Sequence, residues 1–144
     1  MTLKAYRDGL TIRERLAKTD PSNADWQRDL LLTYNNVGFV LQVQGNLPEA
    51  LKAYRDSLTI RERLANVDPG NTGWQGDLAS SYNNVGVVLR AQGNLTDALK
   101  AYRDGLTIRE RAWPKSIPAM PVGSANFRFP TTMSASYSRC RAIR

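Results

Sequence analysis

The 144-residue chain carries 20 Lys and Arg against 13 Asp and Glu, a net charge of +7, with one cysteine and no histidine. That composition excludes a disulfide framework within the chain, a histidine-based catalytic triad and a Cys/His zinc site. No apolar run approaches the roughly 18 residues of a membrane-spanning helix, and the expected address is cytoplasmic.

The charge is unevenly placed. Lys115, Arg128, Arg139, Arg141 and Arg144 all follow Arg111, where no Asp or Glu occurs, which leaves 15 basic and 13 acidic residues before that point. The earlier region therefore has an ordinary solvated surface, and the high isoelectric point belongs to the tail.

The block Lys4-Ala5-Tyr6-Arg7-Asp8-Gly9-Leu10-Thr11-Ile12-Arg13-Glu14-Arg15 returns at Lys52–Arg63 and at Lys100–Arg111, each time 48 residues later, changing only at Gly9, Ser57 and Gly105. A period of this size marks a solenoid, in which each unit buries its apolar face against its neighbours. In chain order, residues 1–18 read as the second helix of a repeat whose first helix is missing, because Thr2 and Leu3 align with Ala50 and Leu51. Asp20-Pro21-Ser22-Asn23 then closes that helix, and Asn23 is a good cap for the next.

Residues 19–66 form one predicted repeat. Leu30, Tyr34, Val37, Gly38 and Leu41 share one helical stripe, and Leu47, Ala50, Leu51, Tyr54, Leu58 and Leu64 share another. Between them Gln44-Gly45-Asn46 suits the left-handed turn of a helical hairpin. Residues 67–112 repeat the arrangement after Asp68-Pro69-Gly70-Asn71. The predicted helices lie near residues 2–18, 23–43, 47–66, 71–91 and 95–112.

Residues 113–144 break the pattern with four prolines and no helical period, and are expected to be irregular or disordered. Read in a shifted frame, however, codons permitted for this tail restore the missing repeat. Trp113 followed by Pro114, and Met120 followed by Pro121, each force an Ala where earlier copies have one, and synonymous choices continue into Tyr-Asn-Asn-Val-Gly-Val-Val-Leu. We therefore expect a net two-base insertion after the Arg111 codon, and a chain that is a fragment of a longer array. A source gene without the shifted open frame would contradict this. The alternatives are a genuine basic tail that binds nucleic acid nonspecifically, or a truncated product with no independent function.

The repeated residues resemble the tetratricopeptide repeat (TPR), carried by Tyr34, Val37-Gly38, Leu41, Ala50 and Tyr54, and again by Tyr82, Val85-Gly86, Leu89, Ala98 and Tyr102. The resemblance implies an all-α fold, with antiparallel hairpins stacked as a right-handed superhelix. Its period departs from the family's roughly 34 residues, as if each helix gained about two turns. Trp26 and Trp74 fall in these extensions, where an added packing layer is the expected role.

The resemblance also implies a protein–protein interaction scaffold, not an enzyme, that takes a peptide or partner helix in a concave groove. Its groove positions here are Asn35, Asn36, Phe39, Gln42, Asn83, Asn84, Val87 and Arg90, with Asn35 and Asn83 the preferred contacts. No catalytic residue, cofactor or metal is expected. The triplet Arg61-Glu62-Arg63 reads as solvated surface. Specific nucleic-acid and membrane partners are not expected, and the uncapped ends predict self-association.

Overall fold

The computed structural model describes residues 2–112, and the tail segment 113–144, with its basic residues, Cys140 and the frame-shift expectation, lies outside the described residues. Five helices follow one another: α1 (Leu3–Thr19), α2 (Ala24–Val43), α3 (Leu47–Val67), α4 (Thr72–Ala91) and α5 (Leu95–Ala112). No strand occurs among the described residues. Each helix packs on the one before it, so α2–α3 and α4–α5 are hairpins, α1 lies on α2, and α3 lies on α4.

The helix ends follow from local chemistry. Asn23 and Asn71 hold extended backbone before α2 and α4, and their Oδ1 atoms accept from the amides of Trp26 at 3.1 Å and Trp74 at 3.0 Å. Each satisfies one orphan donor of a helix N-terminus. At the hairpin turns, Gly45 and Gly93 take φ of 80° and 81°, a left-handed conformation that costs a side-chain-bearing residue energy. The following amides, of Asn46 and Asn94, donate to Leu41 and Leu89 carbonyls at 2.9 Å, which closes each helix end.

Packing explains the sequence signature. One core joins Val37, Leu41, Ala50, Ala53 and Tyr54 to Val85, Val88, Leu89, Ala98 and Ala101, so adjacent hairpins share a single apolar interior. Ala50 is fully buried, and a Cβ on Gly38 would stand 3.0 Å from the Tyr54 ring. The small residues thus admit the aromatic rings between the helices of a hairpin. A second cluster, Ala17, Leu30, Leu31 and Ile60, fills the extended ends, flanked by Leu10, Tyr34 and Leu64.

The charged triplet departs from its sequence reading. Glu62 accepts the Tyr82 hydroxyl at 2.6 Å, Arg63 donates to the Gln27 Oε1, and Arg61 donates to the Asp77 carbonyl at 3.1 Å and to the Ser81 hydroxyl. Three neighbouring charges therefore tie α3 to both α2 and α4. The sequence pattern shows a charged helix face but not that neighbouring helices reach around to use it.

Candidate interaction face

Each first helix of a hairpin has two helical neighbours and keeps one strip for solvent. On α2 that strip is Asp25, Arg28, Leu32, Asn36, Phe39 and Val43, all exposed and spaced three or four residues apart. Leu32, Phe39 and Val43 are 45%, 61% and 72% exposed, which makes this an unpartnered apolar stripe within a polar surface. The same positions on α4 hold Gly73, Gly76, Ser80, Asn84, Val87 and Ala91. The two strips therefore differ in bulk, large on α2 and small on α4.

The N-terminal halves of these helices meet across a cavity of about 270 Å³, lined by Ala24, Asp25, Arg28, Leu31 and Leu32 of α2, Arg61 and Leu64 of α3, and Trp74 and Asp77 of α4. Arg61 is half-buried here; burial lowers its proton affinity, and the charge of Asp77 opposes that. Its Nε is enclosed and has no hydrogen-bond partner. Trp74 is therefore half packing and half cavity wall.

The residues expected in the groove separate by accessibility. Asn36, Phe39 and Arg90 are exposed, and Asn35, Gln42, Asn83, Asn84 and Val87 are half-buried. Asn35 is half-buried with its Oδ1 enclosed and unpartnered, and the Asn83 Oδ1 lies 3.5 Å from where a Cβ on Gly105 would stand. The Gln42 Oε1 accepts the Tyr54 hydroxyl at 3.1 Å. Sequence periodicity groups these residues by face but does not rank them by depth. None of the groove residues expected from sequence lines the cavity, whose Arg61, Trp74 and Leu32 were missed as a set. The usable signal was Trp74 recurring at the position of Trp26 in the added turns.

Two further clefts lie between successive second helices. Arg7, Leu10, Tyr34, Val37, Leu41, Glu49, Lys52, Ala53 and Asp56 line one, and the other is the same set shifted by 48 residues. In the first, Arg7 pairs with Glu49 and Lys52 with Asp56, both at 2.9 Å, so the rim charges already satisfy one another. Among the described residues there is no cluster of metal-binding side chains, and no helix long and apolar enough to cross a membrane.

A tetratricopeptide repeat family model matches residues 30–69 and 78–112. The chain belongs to the tetratricopeptide repeat family. TPR arrays are in general protein–protein interaction modules, and the family is one of non-catalytic scaffolds. No curated relative matches the chain. The two TPR matches begin at equivalent positions, Leu30 and Leu78, and leave out the first turns of α2 and α4. Ala24, Asp25, Arg28, Trp74 and Asp77 therefore line the cavity from outside the matched segments.

Proposed function

We propose that this TPR chain is an interaction scaffold that receives a peptide or partner helix along the solvent strips of α2 and α4. The observation that carries the reading is the exposed stripe Leu32–Phe39–Val43, which runs from the cavity walled by Trp74 and Arg61. A partner lays apolar side chains on Leu32 and Phe39, and the small residues of α4 let its backbone come close. Asn36 and Asn84 offer amides that both donate and accept, and Arg90 offers a cation. Gln42 acts from behind, through its bond to the Tyr54 hydroxyl, and the half-buried Asn35 and Asn83 offer further amides beside Asn36 and Asn84. An apolar side chain suits the cavity, which Leu31, Leu32, Leu64 and Trp74 line.

The test is selection of peptides from a random display library against the intact chain, followed by affinity measurement on variants. Leu32→Ser and Phe39→Ser are expected to weaken the selected peptides by about tenfold or more, as loss of a buried apolar contact does. Melting temperature should hold, because both side chains are exposed. Selected peptides indifferent to both substitutions would place binding elsewhere. In the same assay, single-stranded oligonucleotide binding that disappears on removal of residues 113–144 would assign nucleic-acid affinity to the tail.

A further inference from the structure

The two clefts between successive second helices hold about 360 and 380 Å³, and their linings correspond residue for residue at a 48-residue shift. Only one lining residue changes type: Glu49 in the first cleft becomes Asp97 in the second. Glu49 reaches across from α3 to Arg7 on α1 at 2.9 Å. Asp97 is one methylene shorter and turns back to its own helix end. Its carboxylate accepts from the Asn94 side-chain amide at 2.7 Å, and its backbone N–H donates to the Asn94 Oδ1 at 3.3 Å. That is a reciprocal cap, whereas Asn46, at the matching place, makes no side-chain capping bond. Lys100 pairs with Asp104 at 3.4 Å. Among the described residues Arg55, the counterpart of Arg7, is therefore left without an ion-pair partner, at the rim of a cleft floored by buried Val85, Leu89 and Ala101.

We propose that the cleft between α3 and α5 binds a short aliphatic monocarboxylic acid. The Arg55 guanidinium takes the carboxylate through charge-assisted hydrogen bonds, and the hydrocarbon body covers Leu58, Val85 and Leu89. Its volume falls in the range of small-ligand sites, and a single unpaired cation suits a ligand with a single negative charge. The other charges at the rim are engaged: Lys100 and Asp104 with each other, and Asp97 with Asn94 and the positive amino end of α5. The first cleft has the same floor but its cation is closed off by Glu49. This site shares no residue with the solvent strips of α2 and α4 and does not depend on what they bind.

The probe is hexanoate, titrated into the intact isotope-labelled chain and followed by NMR. The methyl signals of Leu58, Val85 and Leu89 should shift with saturation, those of Leu10, Val37 and Leu41 should not, and neutral hexanamide should bind about threefold or more weaker. Arg55→Gln should weaken hexanoate to the same degree without moving the melting temperature, because the side chain is exposed. Glu49→Gln releases Arg7 and should create a second equivalent of binding, seen at Leu10, Val37 and Leu41. Absence of binding, equal binding of hexanamide, indifference to Arg55→Gln, or no second site in Glu49→Gln would each overturn the proposal. So would tighter binding of the capped peptide acetyl-Leu-Glu-Leu-amide than of hexanoate, because the acid would then come from a protein partner's side chain.

Discussion

Tyr82 on α4 donates its hydroxyl to Glu62 on α3 at 2.6 Å, and Tyr34 on α2 does the same to Glu14 on α1. A charge-assisted bond thus recurs where each first helix meets the second helix of the preceding repeat. Burial, then the bond to the glutamate, raises the affinity of both phenols for their protons well above the ordinary tyrosine value. The unfolded chain's tyrosines titrate near about pH 10. The folded state holds these protons more tightly, so the stabilisation is complete below that pH and is lost as pH rises toward the higher folded values. Denaturant unfolding followed between neutral pH and strong alkali should show stability falling above about pH 10. The double variant Tyr34→Phe, Tyr82→Phe should be less stable at neutral pH and show a shallower alkaline decline, with the remainder coming from buried Tyr54.

Two glycines in equivalent positions should respond differently to alanine. A Cβ at Gly38 would lie 3.0 Å from the Tyr54 ring, which is 5% exposed and bonded to Gln42. A Cβ at Gly86 would lie 2.7 Å from the Tyr102 ring, which is only half-buried on the last described helix. The nearer ring is the one free to swing away. Gly38→Ala should therefore destabilise by about 1–3 kcal/mol through overpacking. Gly86→Ala should lose less, partly offset by the roughly 1 kcal/mol of helix propensity that alanine adds. Urea melts of the two variants decide the order.

The fold was legible because one period of 48 residues carries both the apolar stripes and the punctuation, Asn23 and Asn71 before helices and Gly45 and Gly93 after them. Interhelical polar contacts were not legible, because they depend on which neighbour a side chain can reach. Arg13, Arg61 and Arg109 occupy the same position in the repeated block, yet only Arg61 is withdrawn from solvent. At Ser81 the hydroxyl is available to Arg61, whereas the matching Thr33 hydroxyl donates to the Asp29 carbonyl of its own helix. Differences on the facing helix, Thr33 against Ser81 among them, thus accompany the different settings of an arginine whose own surroundings in sequence barely change.

Gln27 makes a comparable tie at the extended ends. It is 4% exposed, donates to the Ala17 carbonyl at 3.2 Å and accepts from Arg63, so it joins the end of α1 to α2 and α3. Gln75 repeats the first bond, to Ala65 at 3.3 Å, but is half-exposed. Gln27→Ala strands a buried carbonyl and should lose about 1–3 kcal/mol, and Gln75→Ala less, because water can replace it. Thermal unfolding of both single variants tests the order.

The arginine contrast yields the sharpest comparison, since Arg61 and Arg109 share a flanking sequence and differ in cover. Arg61 grips the Asp77 carbonyl and the Ser81 hydroxyl from a half-buried position beneath α4, and its removal leaves the fully enclosed Ser81 without that partner. Arg61→Ala should therefore destabilise by about 1–3 kcal/mol. Arg109 is exposed on α5, and Arg109→Ala should change stability by no more than about 0.5 kcal/mol. Arg61→Lys separates charge from geometry, because lysine keeps the charge but not the planar guanidinium whose one terminal nitrogen meets both acceptors. It should recover little of the loss in a denaturant melt. Full recovery would mean that the positive charge, set against Asp77, is what holds the two helices together.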